Sequence, residues 1–282
     1  MPYECSKEEF LRDFTREILK SSAALFIGSG LSRDAGYAGW KDILKEAAED
    51  IGLDVEKEND LISLAEYYLN NKKGRGKIDT TISEYFSKDY NPTENHSLLA
   101  SLPIKSFWTT NYDRLLEKSF DQKNLKHSVL TDDTSFKKFI DRNGIVLHKL
   151  HGDVETPHEA VITKRDYEEF ACKHEILLAK LKGEMCSKSF LFLGYSLSDT
   201  DINHILAQIR LFYGGNPPKK HYCVIPIAIT GGTASIIWEE MNKLNMEYIK
   251  TEYFQELKYG DTYEKIINAI KRILSQEKAL WI

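Results

Sequence analysis

The sequence predicts an α/β fold: a parallel sheet with helices on both faces, plus an inserted helical module. Three observations carry this. Short apolar runs of strand length alternate with amphipathic stretches along most of the 282 residues. The best of those runs, "AALFIG" and "SFLFLG", are continuously apolar, as strands buried on both faces are. One long stretch, residues 40–101, reads as helix throughout with no convincing strand.

In chain order, "SKEEFLRDFTREILKSS" is the first helix. Ser6 and Glu9 have capping-box spacing, and Phe10, Phe14, Ile18 and Leu19 recur at helical period. "AALFIG" is then a strand ending in Gly28-Ser29-Gly30-Leu31-Ser32. The helical block contains "WKDILKEAAEDIG", "ENDLISLAEYYLNN", "KIDTTISEYF" and "TENHSLLASL", with "NNKKGRGK" (70–77) as an exposed loop. "IKSFWTT" is a strand running into Asn111-Tyr112-Asp113, and a helix begins near Asp113. "GIVLHKL" is a strand ending at His151-Gly152-Asp153, and residues 164–183 are helical. "SFLFLG" ends in Gly194-Tyr195-Ser196-Leu197-Ser198-Asp199 before the helix "DTDINHILAQIRLFY". "HYCVIPI", a helix near 233–244, "MEYIKT" and a helix from about Thr262 complete the pattern. No internal repeat or low-complexity linker divides it. Residues 1–282 therefore read as a single domain, with approximately 40–101 inserted.

Composition excludes several classes. Lys and Arg total 38 against 43 Asp and Glu, a formal charge of −5, which disfavours nucleic acid as a partner. One small anion can still be held by backbone N–H groups, which need no net charge. No apolar run approaches the roughly 20 residues of a membrane span. The N-terminus "MPYECSKEEF" has no signal-type apolar segment. A cytoplasmic protein with no membrane contact is expected. Cys5, Cys172, Cys186 and Cys223 form no Cys-x-x-Cys pair, so neither a disulfide framework nor a paired-cysteine zinc site is expected.

Ligands of open α/β sheets bind beyond the carboxyl ends of the strands, so four polar strand ends are the candidate site. Gly28-Ser29-Gly30 allows a tight turn and close backbone approach, but Arg33 stands where a third glycine of G-x-G-x-x-G would be. The loop is either a phosphate site or a plain turn. Asn111 can donate and accept, as a ribose or water requires, or it can cap the next helix together with Asp113. His151 at the sheet rim is either a base active near pH 7 or a hydrogen-bonded structural histidine. His148 is expected on the opposite side of the strand, which disfavours a metal pair. "GYSLSDTD" either holds a ribose or phosphate or caps a helix.

Taken in order, "GSGLSRDAGYAGW", "TTNYD", "HG" and "GYSLSD" resemble the sirtuin signatures Gly-Ala-Gly-hydrophobic-Ser…Ala-Gly, Thr-Gln-Asn-hydrophobic-Asp, His-Gly and Gly-Thr-Ser. The resemblance implies a Rossmann-like sheet that binds NAD+. Gly28, Ser29, Gly30 and Ser32 would lie at the pyrophosphate, and Asn111 and Asp113 at the nicotinamide ribose and carboxamide. His151 would act as base, and Gly194 and Ser196 would lie near the phosphate or adenosine side. The four-cysteine zinc module of deacylase sirtuins is missing between "HG" and "GYSLSD", so no metal is expected. "WTTNYDRLLEK", "HGDVETP" and "FLFLGYSLSDTDINHIL" look closer to the sirtuin-like branch of bacterial anti-phage systems. The chain is especially similar to the N-terminal NAD-cleaving domain of Thoeris defence effectors.

That branch implies an NAD+ glycohydrolase, NAD+ being substrate, that depletes cellular NAD in abortive infection. It further implies a homo-oligomer, a tetramer by family resemblance. An activating nucleotide would bind a C-terminal sensor domain, and this chain stops before one. Two competing readings stay open: an NAD-dependent protein deacylase, and a non-catalytic NAD or ADP-ribose sensor or scaffold.

Overall fold

The computed structural model describes residues 6–37, 39–86, 88–137, 143–195, 200–214, 218–225, 246–250 and 267–271. Its seven strands are β1 (Ala23–Ile27), β2 (Ser106–Thr109), β3 (His127–Leu130), β4 (Ile145–Lys149), β5 (Ser189–Leu193), β6 (His221–Ile225) and β7 (Met246–Lys250). They form one sheet in the order β3-β4-β2-β1-β5-β6-β7. Every pairing is parallel. The chain builds outward from β1 to one edge, then returns to β1 and builds toward the other. The gap between β1 and β5 is thus the topological switch point, where such sheets hold ligands.

Burial on both faces explains the continuous apolar strands. Alternate residues of β1 point to opposite sides. Leu25 and Ile27 join Phe10 and Phe14 of helix α1 (Lys7–Leu19), along with Phe107 and Phe120. Ala24 and Phe26 join Leu177 and Leu181 of α9 (Glu175–Ser187) and Ile205 and Ile209 of α10 (Thr200–Phe212). Residues 267–271 are helical, and Ile267 and Ile270 close the first layer. One difference from the sequence reading stands out. β3 was not anticipated: it is a four-residue edge strand and only Leu130 is buried, so its apolar signal is weak. The expected helix near 233–244 lies outside the described residues.

Between β1 and β2 lie α2 (Ser29–Arg33), α3 (Trp40–Asp50), α4 (Leu61–Lys72), α5 (Gly76–Phe86) and α6 (Glu94–Ala100). Ile43, Leu44, Leu64 and Ile82 from these helices form a third apolar cluster with Tyr112 and Ile162 of the sheet side. "NNKKGRGK" is less of a loop than expected, since α4 runs to Lys72 and α5 begins at Gly76. Arg75 turns inward. It donates to Asp79 (2.7 Å), to Asp166 at the start of α8 (Lys164–Lys173; 3.0 Å) and to the carbonyl of Ala160 (2.9 Å). A planar guanidinium fits this fork and an ammonium does not. Arg75→Ala is expected to cost about 2 kcal/mol in urea denaturation, with Arg75→Lys recovering less than half.

Candidate active site

β4, β2, β1 and β5 are neighbours in the sheet, and their carboxyl ends open onto one cleft of about 620 Å³. Gly28, Ser29, Thr110, His151 and Gly194 line its sheet side. Trp40 and Lys41 of α3 and Asp60, the N-cap of α4, line the other wall. The volume lies within the range of small-molecule sites. Segments far apart in sequence therefore meet at the switch point. Of the expected set, Gly30, Ser32, Asn111 and Asp113 do not line this cleft, and Ser196 lies outside the described residues.

The glycines do something the sequence did not reveal. A Cβ on Gly28 would sit 2.4 Å from the Gly194 carbonyl oxygen, and one on Gly30 would sit 2.9 Å from it. Gly194 has φ +66°, and its own Cβ would lie 2.5 Å from the Leu31 nitrogen. These residues let the two loops of the switch point pack backbone to backbone. Gly28 N–H donates to the Leu193 carbonyl and Gly30 N–H to the Gly194 carbonyl, each at 2.9 Å. Both amides are spent on this contact. Ser29 keeps its place on the cleft wall. Gly194→Ala is expected to cost at least about 3 kcal/mol, because left-handed strain of 1–2 kcal/mol adds to a backbone clash. Gly214 has φ +60° in open space, so Gly214→Ala is the control and should cost only about 1–2 kcal/mol in a thermal melt.

A hydrogen-bonded chain crosses beside this cleft. Thr109 Oγ1 donates to the Ile27 carbonyl (2.7 Å) and accepts from Asn111 N–H (3.0 Å), fixing the turn after β2. Asn111 Nδ2 donates to Ser32 Oγ (3.1 Å), and Ser32 donates to Asp113 Oδ2 (2.7 Å). Asp113 Oδ1 accepts from Leu115 N–H (3.0 Å) at the start of α7 (Leu115–Gln122). Asp113 thus holds the first amide of α7 and, through Ser32, orients Asn111. Ser32, Asn111 and Asp113 line a recess of about 60 Å³ with Tyr37, Trp40 and Phe86. Ser29, Trp40 and Thr110 border both hollows, so the recess and the cleft are adjacent. Burial, with Asp113 close by, pushes the Tyr37 hydroxyl up to about 12, and it stays neutral.

His151 is only 2% exposed, and its ring stands edge-on to Tyr167 (5.3 Å) and Phe170 (5.6 Å). Its small accessible area faces the cleft. The expectation that His148 and His151 take opposite sides fails. β4 ends at Lys149, and beyond it strand alternation no longer applies. His148 stacks on Trp108 (3.7 Å), and both Trp108 and Phe170 belong to the same apolar layer.

The sequence reading missed Lys149, which is fully buried. Its ammonium donates to the carbonyls of Asp113 (2.7 Å) and Tyr112 (3.1 Å), to Glu117 (3.1 Å) and to Asp153. It ties the Asn111–Asp113 turn to the turn that follows His151. Burial opposes its charge, but Glu117 and Asp153 outweigh this and hold its pKa above the usual lysine range. A lysine within an apolar strand run was the available signal, since buried lysines are almost always paired. Among the described residues no group of three or more His, Cys, Asp or Glu side chains is placed to hold a metal ion. Nor is any described helix long and apolar enough to cross a membrane.

The family profile of the SIR2-like domain matches residues 105–249, just over half of the sequence, and the chain belongs to this family. More particularly, it is 44% identical over 223 residues to "NAD(+) hydrolase ThsA" of Bacillus cereus, an alignment covering 77% of this chain and 46% of that protein. It is 41% identical over 217 residues to the protein of the same name from Cytobacillus dafuensis, covering 77% and 44%. A chain solved for "The Structural basis for Sirtuin Substrate affinity" aligns over 93% of this chain and 97% of its own length, with 14% identity and a TM-score of 0.48. The chain spans about half the length of the curated relatives it matches.

Proposed function

We propose that this chain is a domain that hydrolyses NAD+ to nicotinamide and ADP-ribose in bacterial anti-phage defence. The observation that carries the reading is that Asn111 and His151 line adjoining hollows beyond the carboxyl ends of β2 and β4. It is supported by the 44% identity to a protein named NAD(+) hydrolase.

The reaction breaks the C1′–N bond. The bonding pair goes to the pyridinium nitrogen, so nicotinamide leaves neutral and positive charge develops on the ribose, as in glycoside hydrolysis. Water then attacks C1′ and gives up a proton. Nicotinamide points its carboxamide toward the aromatic recess beside Asp113, with the ribose at Thr110 between the recess and the cleft. Asn111, its amide nitrogen held by Ser32, offers its carboxamide oxygen to a ribose hydroxyl or the attacking water. His151 takes the proton, a contribution of about 10²–10⁴-fold. Gly28, Ser29, Gly30 and Gly194 shape the floor of the phosphate side.

On this reading residues 1–282 act as one catalytic domain, and the helices between 40 and 101 supply a wall of the cleft. The protein works in the cytoplasm as a homo-oligomer. An activating nucleotide acts through a sensor domain elsewhere in the full-length protein. Nicotinamide release from NAD+ tests the proposal. Asn111→Ala should slow it by about 100-fold or more while leaving the melting temperature nearly unchanged. Equal rates for the two proteins would remove Asn111 from the chemistry.

A further inference from the structure

We propose that Arg33 is the cation that holds the phosphates of the bound dinucleotide, an inference that rests on reading the cleft as an NAD+ site. Such a ligand brings two negative charges into the cleft, and the wall must answer them. Two of the backbone donors expected to do so are occupied, since Gly28 N–H and Gly30 N–H bond to Leu193 and Gly194 carbonyls. Lys41, the other cation on the wall, bonds to the Glu56 carbonyl and carboxylate, each at 3.2 Å. The wall's carboxylates have helix-capping partners: Asp42 accepts from Gly39 N–H and Asp60 from Ser63 N–H, both at 2.9 Å.

Arg33 alone remains. It is exposed at the end of α2, it lines the cleft, and among the described residues its guanidinium has no hydrogen bond or ion pair. Its guanidinium presents a rigid fork of donors that matches phosphate oxygens two at a time. It also occupies the place of the third glycine in G-x-G-x-x-G. A loop that has committed two of its amides to packing two strand ends together carries its charged anion-binding donors on a side chain instead. The phosphates therefore lie along the wall where α2 ends, rather than over the Gly28–Gly30 amides.

The test is calorimetric titration of wild type, Arg33→Ala and Arg33→Lys with ADP-ribose at low salt, and with adenosine as a phosphate-free probe. The expected result is ADP-ribose binding about 10–100-fold weaker for Arg33→Ala, an intermediate loss for Arg33→Lys, and unchanged adenosine binding. Unchanged ADP-ribose binding in Arg33→Ala, an equal loss for adenosine, or no ADP-ribose binding by wild type overturns the proposal. Nicotinamide release, measured alongside, separates the two readings. Turnover with Arg33-independent binding sinks only the role of Arg33. Arg33-dependent binding without turnover sinks hydrolysis and leaves Arg33 as the phosphate cation.

Discussion

Replacing Lys149 by methionine is expected to destabilise the protein by about 3–5 kcal/mol. Methionine approximates the length and volume of the lysine stem, so little of this cost comes from a cavity. The cost is electrostatic. Lys149 is fully buried and answers Glu117 and Asp153 together with the carbonyls of Tyr112 and Asp113. Without it, two buried carboxylates face each other with no cation, and two carbonyls lose their donor. Burial already raises the Glu117 carboxyl, so this site will take up a proton when the ammonium is removed, and the variant's deficit relative to wild type should narrow on mild acidification. Glu117→Gln keeps the ammonium paired with Asp153 and should cost less than half as much. Urea denaturation at neutral pH checks both, and a loss below about 1 kcal/mol for Lys149→Met would contradict the expectation. The same clamp joins the turns of Asn111 and His151, so turnover of this variant should fall even at temperatures where it remains folded.

The second large effect is acid lability of the wild type. Burial holds His96, His148 and His221 down at about 4. The ordinary histidine value in an unfolded chain is about 6.5. The folded state therefore binds fewer protons than the unfolded one between these values. The stabilisation from keeping the rings neutral is complete above pH 6.5 and is lost as pH falls toward 4. At pH 5 each ring costs about 2 kcal/mol, a total of several kcal/mol against a typical stability of 5–15. Hydrogen bonding agrees with neutral rings, because Phe190 N–H donates to His221 Nδ1 and Thr93 N–H to His96 Nδ1, each at 3.3 Å. An imidazolium could accept neither. Asp113 favours the proton on His96 and trims that share. Melting followed from pH 7.5 to 5 should show a steep fall, and a flat profile would mean that these rings are not buried neutral.

Much of this molecule was readable from residue patterns, and the failures have physical causes. Buried strands announce themselves by continuous apolar runs, so β1, β2, β4 and β5 and their polar ends were legible. β3 was not, because an edge strand with half-exposed side chains needs little apolarity. The meeting of Gly28, Thr110, His151 and Gly194 followed from parallel topology. The reason for the glycines did not. A sequence shows that Gly28 lacks a side chain, but not that Gly194 will press against it. Lys149 lies in its strand, short of the polar rim where strand-end chemistry is legible. Its role depends on Glu117 and Asp153, which only the fold brings beneath the Asn111 turn. His151 was placed correctly at the end of its strand, but its orientation was read from an alternation that stops at Lys149.

The most direct measurement is to incubate the purified chain with NAD+ and no acyl peptide, identifying products over time for wild type, Asn111→Ala and His151→Ala. The expected result is one nicotinamide and one ADP-ribose for each NAD+ lost in wild type, with both variants slowed by about 100-fold or more and still folded. NAD+ consumed at the wild-type rate by both variants would contradict the assignment of the chemistry to this cleft.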